Sequence, residues 1–141
     1  MDRPTSILYR DSATATGGRD GRSMLSEGGL VLAMAIPKSM GGSGEGSNPE
    51  QLFALGYASC FSSALAFVAR AKSVDVSKSR VTADVGIGRN AAGGFALAVE
   101  LKVAMPGIDA AQGQQLVEAA HQVCPYSNAT RGNIDVKLSL V

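Results

Sequence analysis

From Leu52 to Ala69 the chain runs eighteen residues without a charged side chain, and this apolar run organises the rest of the pattern. It carries Gly56, Tyr57, Ser59, Cys60, Ser62 and Ser63 among its apolar positions. A helix apolar on nearly every side is expected to be buried on every side within protein. Its start is well marked. Asn48 can cap it, Pro49 fits the first turn, and Gln51 completes a capping-box-like pair with Asn48, so the helix is predicted to run to about Ala71. Eighteen residues also reach the lower length for a bilayer span. One stretch interrupted by polar residues, with no flanking topology signal, reads instead as a core helix, and no membrane association is expected.

The first third reads as strands. Ile7 to Thr16 is strand-like, with alternating Ala and Thr at its end, and Gly17-Gly18-Arg19-Asp20-Gly21 is turn chemistry. Arg22 to Ser26 and Leu30 to Ile36 then form a hairpin around Glu27-Gly28-Gly29. The Gly/Ser loop from Gly41 to Ser47 precedes a helix but lacks the Gly-Lys-Ser/Thr ending of a phosphate cradle, so it is read as a connector. Beyond the helix, Arg80 to Gly88 and Gly94 to Met105 form a second hairpin through Arg89 to Gly93. Asp109 and Gln112 mark a second helix, which Pro125 stops near Cys124. A short turn from Ser127 to Arg131 leads to a last strand, Ile134 to Val141. Strands segregated from helices predict an α+β fold.

Composition narrows the function classes. A chain of 141 residues with 45% apolar and 18% charged positions is globular, and residues 1–141 are expected to form a single domain. A net charge of +1 gives no electrostatic case for nucleic acid or an anionic membrane. The start, MDRPTSILYRDS, lacks the apolar core and cleavage site of a signal peptide, so the cytoplasm is the expected location. The sequon at Asn128 is then a chance match.

Cys60 and Cys124 are the two cysteines, and four readings compete for them. Each can be a small core residue, half of a structural disulfide, a metal ligand, or a redox centre. A metal site would need Cys60, Cys124 and His121, three soft ligands without a fourth, and no metal is expected. Only a thiolate is a good nucleophile, and a free cysteine titrates at about 8.5. Cys60 lies too deep in its helix for help from the N-terminal dipole, and burial raises its pKa. An active Cys60 therefore needs a cation from elsewhere, with Arg19, Arg22 and Arg131 as candidates. Cys124, at a helix C-terminus, suits a resolving role better than an attacking one.

Three separated motifs bear on that choice: ATATGGRDGR around Arg19, NPEQLFALGYASCF around Cys60, and VCPYSNATRGNIDV around Cys124. Together they resemble the organic hydroperoxide resistance (Ohr) proteins, the thiol peroxidase branch of the OsmC/Ohr family, over nearly the whole chain. The resemblance implies an OsmC/Ohr-like α+β fold in which antiparallel strands wrap central helices in an intertwined homodimer. It implies a peroxidase in which Cys60 attacks an organic hydroperoxide, fatty-acid hydroperoxides included, and Cys124 closes a disulfide on the resulting sulfenic acid. Arg19 matches the family's catalytic arginine and Glu50 the acidic partner that orients it. No bound cofactor is implied. The reductant would be an external lipoyl dithiol on a lipoylated carrier protein. An OsmC-like peroxidase of broader substrate range is the nearest alternative, and a redox sensor or binding module that does not turn over is another.

Helix geometry adds a reading of its own. Glu50 and Cys60 stand ten residues apart on one helix, roughly 15 Å along its axis and about 80° apart around it. One helix cannot easily place both in one site. Two chains pairing these helices antiparallel can, so sites shared between subunits are expected. The cation at the site is expected to outweigh burial and lower the Cys60 pKa.

Overall fold

A computed structural model describes residues 3–141. The chain divides into two compact units, Met1–Leu52 and Phe53–Val141, each described here by itself.

In the N-terminal unit, strands β1 (Ala13–Thr16), β2 (Arg22–Leu25) and β3 (Val31–Ala33) form an antiparallel sheet in that order. The strand expected over Ile7–Thr16 is paired only from Ala13, which faces Leu25, the last residue of β2. The Ser12 carbonyl still accepts the Ser26 N–H at 2.9 Å, but among the described residues none before Ala13 belongs to a strand, and Ile7, Leu8 and Tyr9 are exposed. A one-turn 3-10 helix, Gly18–Asp20, joins β1 to β2. In the Gly41–Ser47 connector, the N–H groups of Gly41, Gly42, Gly44 and Ser47 all donate to nearby carbonyls. They are thus committed to the loop itself rather than converging on a ligand. Helix α1 (Pro49–Ala71) then begins with the reciprocal box expected of its sequence. The Gln51 N–H donates to Asn48 Oδ1 at 2.9 Å and the Asn48 N–H donates to Gln51 Oε1 at 3.0 Å.

The C-terminal unit holds most of α1, a hairpin of β4 (Arg80–Arg89) and β5 (Phe95–Ala104), helices α2 (Ala110–Val123) and α3 (Pro125–Thr130), and β6 (Val136–Leu140). Strand β5 is central. Its Val99, Leu101 and Val103 are buried at the two-residue period of a strand. They share a core with Tyr57, Phe61, Leu65 and Val68 of α1 and Leu116 and Val117 of α2. On the other sheet face Glu100 accepts from Ser139 at 2.7 Å and pairs with Lys137 at 3.0 Å, a solvated arrangement of small energetic weight.

Three expectations change here. Strand β6 lies parallel to β5 rather than antiparallel, because the chain between them crosses over through α2 and α3, and a crossover of that length delivers a parallel strand. The turn expected over Ser127–Arg131 is largely helical. Pro125 ends α2, yet at the first position of α3 it needs no N–H and its fixed φ suits a new helix. Lastly, within a single chain α1 is not buried on every side. Tyr57, Phe61, Ala64, Leu65 and Val68 form one buried stripe, while Leu55 and Phe67 are 67% and 69% exposed. By length and composition α1 is apolar enough to cross a membrane, but that stripe belongs to the core of the unit.

Candidate active site

The chemistry-bearing residues come together as two pairs, one in each unit. In the N-terminal unit the pair is Arg19 with Glu50. The turn that carries Arg19 depends on glycine: a Cβ at Gly21 would sit 1.8 Å from the Thr16 carbonyl oxygen. Asp20 ties the turn down by accepting the Ile36 N–H at 3.1 Å. Arg19 is thereby presented to Glu50 in the first turn of α1. Nη1 donates to Oε2 at 2.8 Å and Nη2 to Oε1 at 2.6 Å, a parallel fork-to-fork contact. The Arg19 hydrogen bonds hold the Glu50 carboxyl below its usual range, against an opposing effect of burial. The guanidinium is held still more firmly protonated by the same contact.

In the C-terminal unit the pair is Cys60 with Cys124. Both are free thiols, Cys60 half-buried and Cys124 fully buried. The Cys124 S–H donates to Cys60 Sγ across 3.5 Å. A disulfide bond is about 2.05 Å long, so closure needs a movement of only about 1.5 Å. The sequence around Cys124 explains its position. A residue before proline is driven out of helical conformation, and Cys124 is extended, with φ −68° and ψ 123°. It closes α2 through its N–H to the Ala120 carbonyl and opens α3 through its own carbonyl, which accepts from Asn128, both at 2.9 Å. The side chain at this corner is turned onto α1.

Cys60 has further neighbours that sequence reasoning missed. The backbone N–H of Tyr126 acts on its sulfur and favours the thiolate, but burial acts more strongly the other way and Cys124 adds to it, so the thiol is pushed up. The lowered pKa expected for Cys60 is therefore not found in this arrangement, where burial outweighs the donor present. One turn before Cys60, Gly56 leaves the helix surface bare: a Cβ there would meet Tyr126 Oη at 2.7 Å. The Tyr126 ring accordingly lies close against α1, with its centroid 6.1 Å from Phe53 and 5.7 Å from Tyr57. The four-residue spacing of Gly56 and Cys60 on one helix face was the available signal. Nothing in the sequence places Tyr126 opposite.

His121 does not join the cysteines as a ligand, since its Nδ1 bonds Ser127 Oγ at 2.9 Å. Burial, then the charge of Arg131, lowers its pKa. Among the described residues no cluster of three or more His, Cys, Asp or Glu side chains is arranged to hold a metal.

Comparisons with known proteins agree on one family. The model of the OsmC-like proteins matches residues 42–139. The organic hydroperoxide resistance protein of Xanthomonas axonopodis pv. citri is 51% identical over 142 residues, covering 99% of both chains. Organic hydroperoxide resistance protein OhrB of Bacillus subtilis is 42% identical, over 94% of this chain and 98% of its own. Its crystal structure superposes with a TM-score of 0.88 over 96% of this chain and 100% of the other. A Vibrio cholerae protein, solved as an organic hydroperoxide resistance protein with captopril in one of its active sites, is 51% identical. It gives a TM-score of 0.95 over 99% of this chain and 96% of that one.

Proposed function

This chain belongs to the OsmC-like family, in the branch of the organic hydroperoxide resistance proteins, and from that premise we propose that it reduces organic hydroperoxides by two-cysteine chemistry. The observation that carries the reading is the 3.5 Å contact between the two free thiols. Cys60, as thiolate, attacks the distal oxygen of ROOH. The O–O bond breaks, the sulfur is oxidised to a sulfenic acid, and the alkoxide leaves as ROH after taking a proton. The Cys124 sulfur then attacks the Cys60 sulfur, forming the disulfide and releasing water. A lipoyl dithiol, supplied by a lipoylated carrier protein, reduces that disulfide by exchange and is itself oxidised to the cyclic disulfide. Each turnover thus converts one hydroperoxide and one dithiol into one alcohol, one water and one lipoyl disulfide. No bound cofactor is needed.

Arg19 supplies the positive charge that stabilises the thiolate and the leaving oxygen, and Glu50 orients it. The raised Cys60 thiol gives such a cation its purpose. An elongated substrate, such as a fatty-acid hydroperoxide, gains from the apolar surroundings of α1, whereas hydrogen peroxide does not. The working form is a homodimer in which Glu50 of the partner subunit serves Cys60. The open face of α1, with Leu55 and Phe67 exposed, and the axial separation of Glu50 and Cys60 support that assembly. The reducing cytoplasm is the matching compartment for two free thiols.

The test is consumption of cumene hydroperoxide and of hydrogen peroxide with dihydrolipoamide, in wild type, Cys60→Ser and Cys124→Ser. Fast turnover of the organic substrate alone, lost in Cys60→Ser and halted after one oxidation in Cys124→Ser, is expected. Equal use of both peroxides would indicate a broad OsmC-like peroxidase. No turnover with any dithiol would indicate a sensor. Mixing inactive Glu50→Ala and Cys60→Ser chains should restore part of the activity if sites are shared between subunits.

A further inference from the structure

A buried run of hydroxyl groups surrounds the corner that carries Cys124. Ser127 Oγ lies 2.9 Å from His121 Nδ1 and 3.0 Å from Tyr57 Oη, and Tyr57 Oη lies 3.2 Å from Thr130 Oγ1. The Thr130 hydroxyl donates to the Tyr126 carbonyl at 2.9 Å. Tyr57 and Ser127 are fully buried and Thr130 nearly so. These four contacts have one self-consistent proton order. A carbonyl only accepts, so the Thr130 proton points to Tyr126. Thr130 Oγ1 then accepts from Tyr57, Tyr57 Oη accepts from Ser127, and Ser127 Oγ accepts from His121 Nδ1–H. Any reversal leaves one of the four contacts without a proton. The order fixes the histidine tautomer as Nδ1–H.

The run ties three helices together around the two sulfurs. His121 stands three residues before Cys124 on α2 and Ser127 three residues after it on α3. Tyr57 stands one turn before Cys60 on α1. Arg131 closes the same corner, donating to the His121 carbonyl at 2.6 Å and to Asn128 Oδ1 at 2.8 Å. Apolar side chains could fill this space, but a directional network adds to the backbone of the corner a constraint on the angle between α2 and α3.

We propose that His121, Ser127, Tyr57 and Thr130 are positioning residues that hold the α2–α3 corner so that Cys124 stays in line with an oxidised Cys60. The inference rests on the two-cysteine reading above. It concerns the second chemical step alone: Cys124 sulfur bonds to Cys60 sulfur, the S–O bond breaks, and hydroxide leaves as water with the Cys124 proton. In the first step, attack of Cys60 on the hydroperoxide, the corner supplies only the Tyr126 backbone N–H to the Cys60 sulfur.

The test is a single oxidation of reduced protein with one equivalent of cumene hydroperoxide, followed in time. Sulfenic acid on Cys60 is trapped with dimedone and the disulfide counted by mass spectrometry. Tyr57→Phe, Ser127→Ala and His121→Ala are expected to slow disulfide closure by about 10- to 100-fold, the loss that a misplacement of about 1 Å produces. Hydroperoxide loss in the first step, which takes from the corner only the Tyr126 N–H, is slowed much less. His121→Asn, which returns an N–H near the Nδ1 position, restores fast closure. Because His121 is only half-buried, that comparison holds even if Tyr57→Phe folds poorly. Wild-type closure rates in all three variants, or equal slowing of both steps without rescue by asparagine, would overturn the positioning role and leave the peroxidase reading standing. Wild-type protein that closes no disulfide would remove both.

Discussion

Replacing Glu50 by glutamine asks what holds Arg19. Two parallel contacts of 2.8 and 2.6 Å join the residues, with side chains 13% exposed for Glu50 and 32% for Arg19. Glutamine keeps the volume but turns one acceptor into a donor, so one of the two bonds is lost along with the charge. A hydrogen bond to a charged group contributes about 1.5–3 kcal/mol when well shielded, and exposed ion pairs about 0–1 kcal/mol. With Arg19 near one-third exposed, the coupling should be about 1–2 kcal/mol. A carboxylate that merely favours the α1 N-terminus would contribute about 0.3–1 kcal/mol and would do so whether or not Arg19 were present. The assay is a double-mutant cycle by urea unfolding at neutral pH, using Glu50→Gln, Arg19→Ala and the double variant. Coupling near zero would refute the pairing argument. The pH dependence has a definite sign. Because Arg19 lowers the Glu50 pKa in the folded state, the stabilisation is complete above the unfolded value of about 4.3 and fades as pH falls through the lower folded value. Wild type and Glu50→Gln should converge in acid.

Three further outcomes are expected. Asn48→Ala removes one half of the box that starts α1 and should cost about 1 kcal/mol in urea unfolding; no loss would mean the box adds nothing. Gly56→Ala forces the Tyr126 ring off α1, while alanine's better helix propensity, worth about 1 kcal/mol, offsets the strain. Stability should therefore change little, and alkylation of Cys60 by iodoacetamide should accelerate as its cover moves; an unchanged rate would show that the ring does not shield the thiol. In Arg19→Ala, burial and Cys124 act on Cys60 against the Tyr126 N–H alone. Thiolate absorbance should then appear only above the usual cysteine range, with the wild-type titration lying lower; superimposable titrations would remove Arg19 from the site.

The parts of the fold that were legible in the sequence are those set by near neighbours. The Asn48–Gln51 box and the Asp109 cap, which accepts the Gln112 N–H at 3.0 Å, span three residues each, and both helices start where those signals lie. The direction of β6 was not legible, because it depends on where a crossover of two helices returns the chain. Pro125 carries two messages at once, a stop for α2 and a start for α3, and the second depends on the residues that follow being able to continue a helix. At the site, the resemblance named Arg19, Glu50, Cys60 and Cys124. The structure supplies the Arg19–Glu50 fork and the contact between the sulfurs, neither of which spacing alone could give across 31 and 64 residues. The Tyr126 N–H escaped notice because a backbone group has no side-chain signature. The Tyr57–Ser127 contact escaped because seventy residues separate its ends.

Two-cysteine chemistry requires that Cys60 and Cys124 form one redox couple. Its most direct test is peptide mapping of wild-type protein after one equivalent of cumene hydroperoxide, under non-reducing conditions. A single Cys60–Cys124 disulfide is expected, formed in proportion to the alcohol released and reversed by dihydrolipoamide. Two intact thiols after the hydroperoxide has been added, or a Cys60 oxidised to sulfinic acid beside an untouched Cys124, would contradict it.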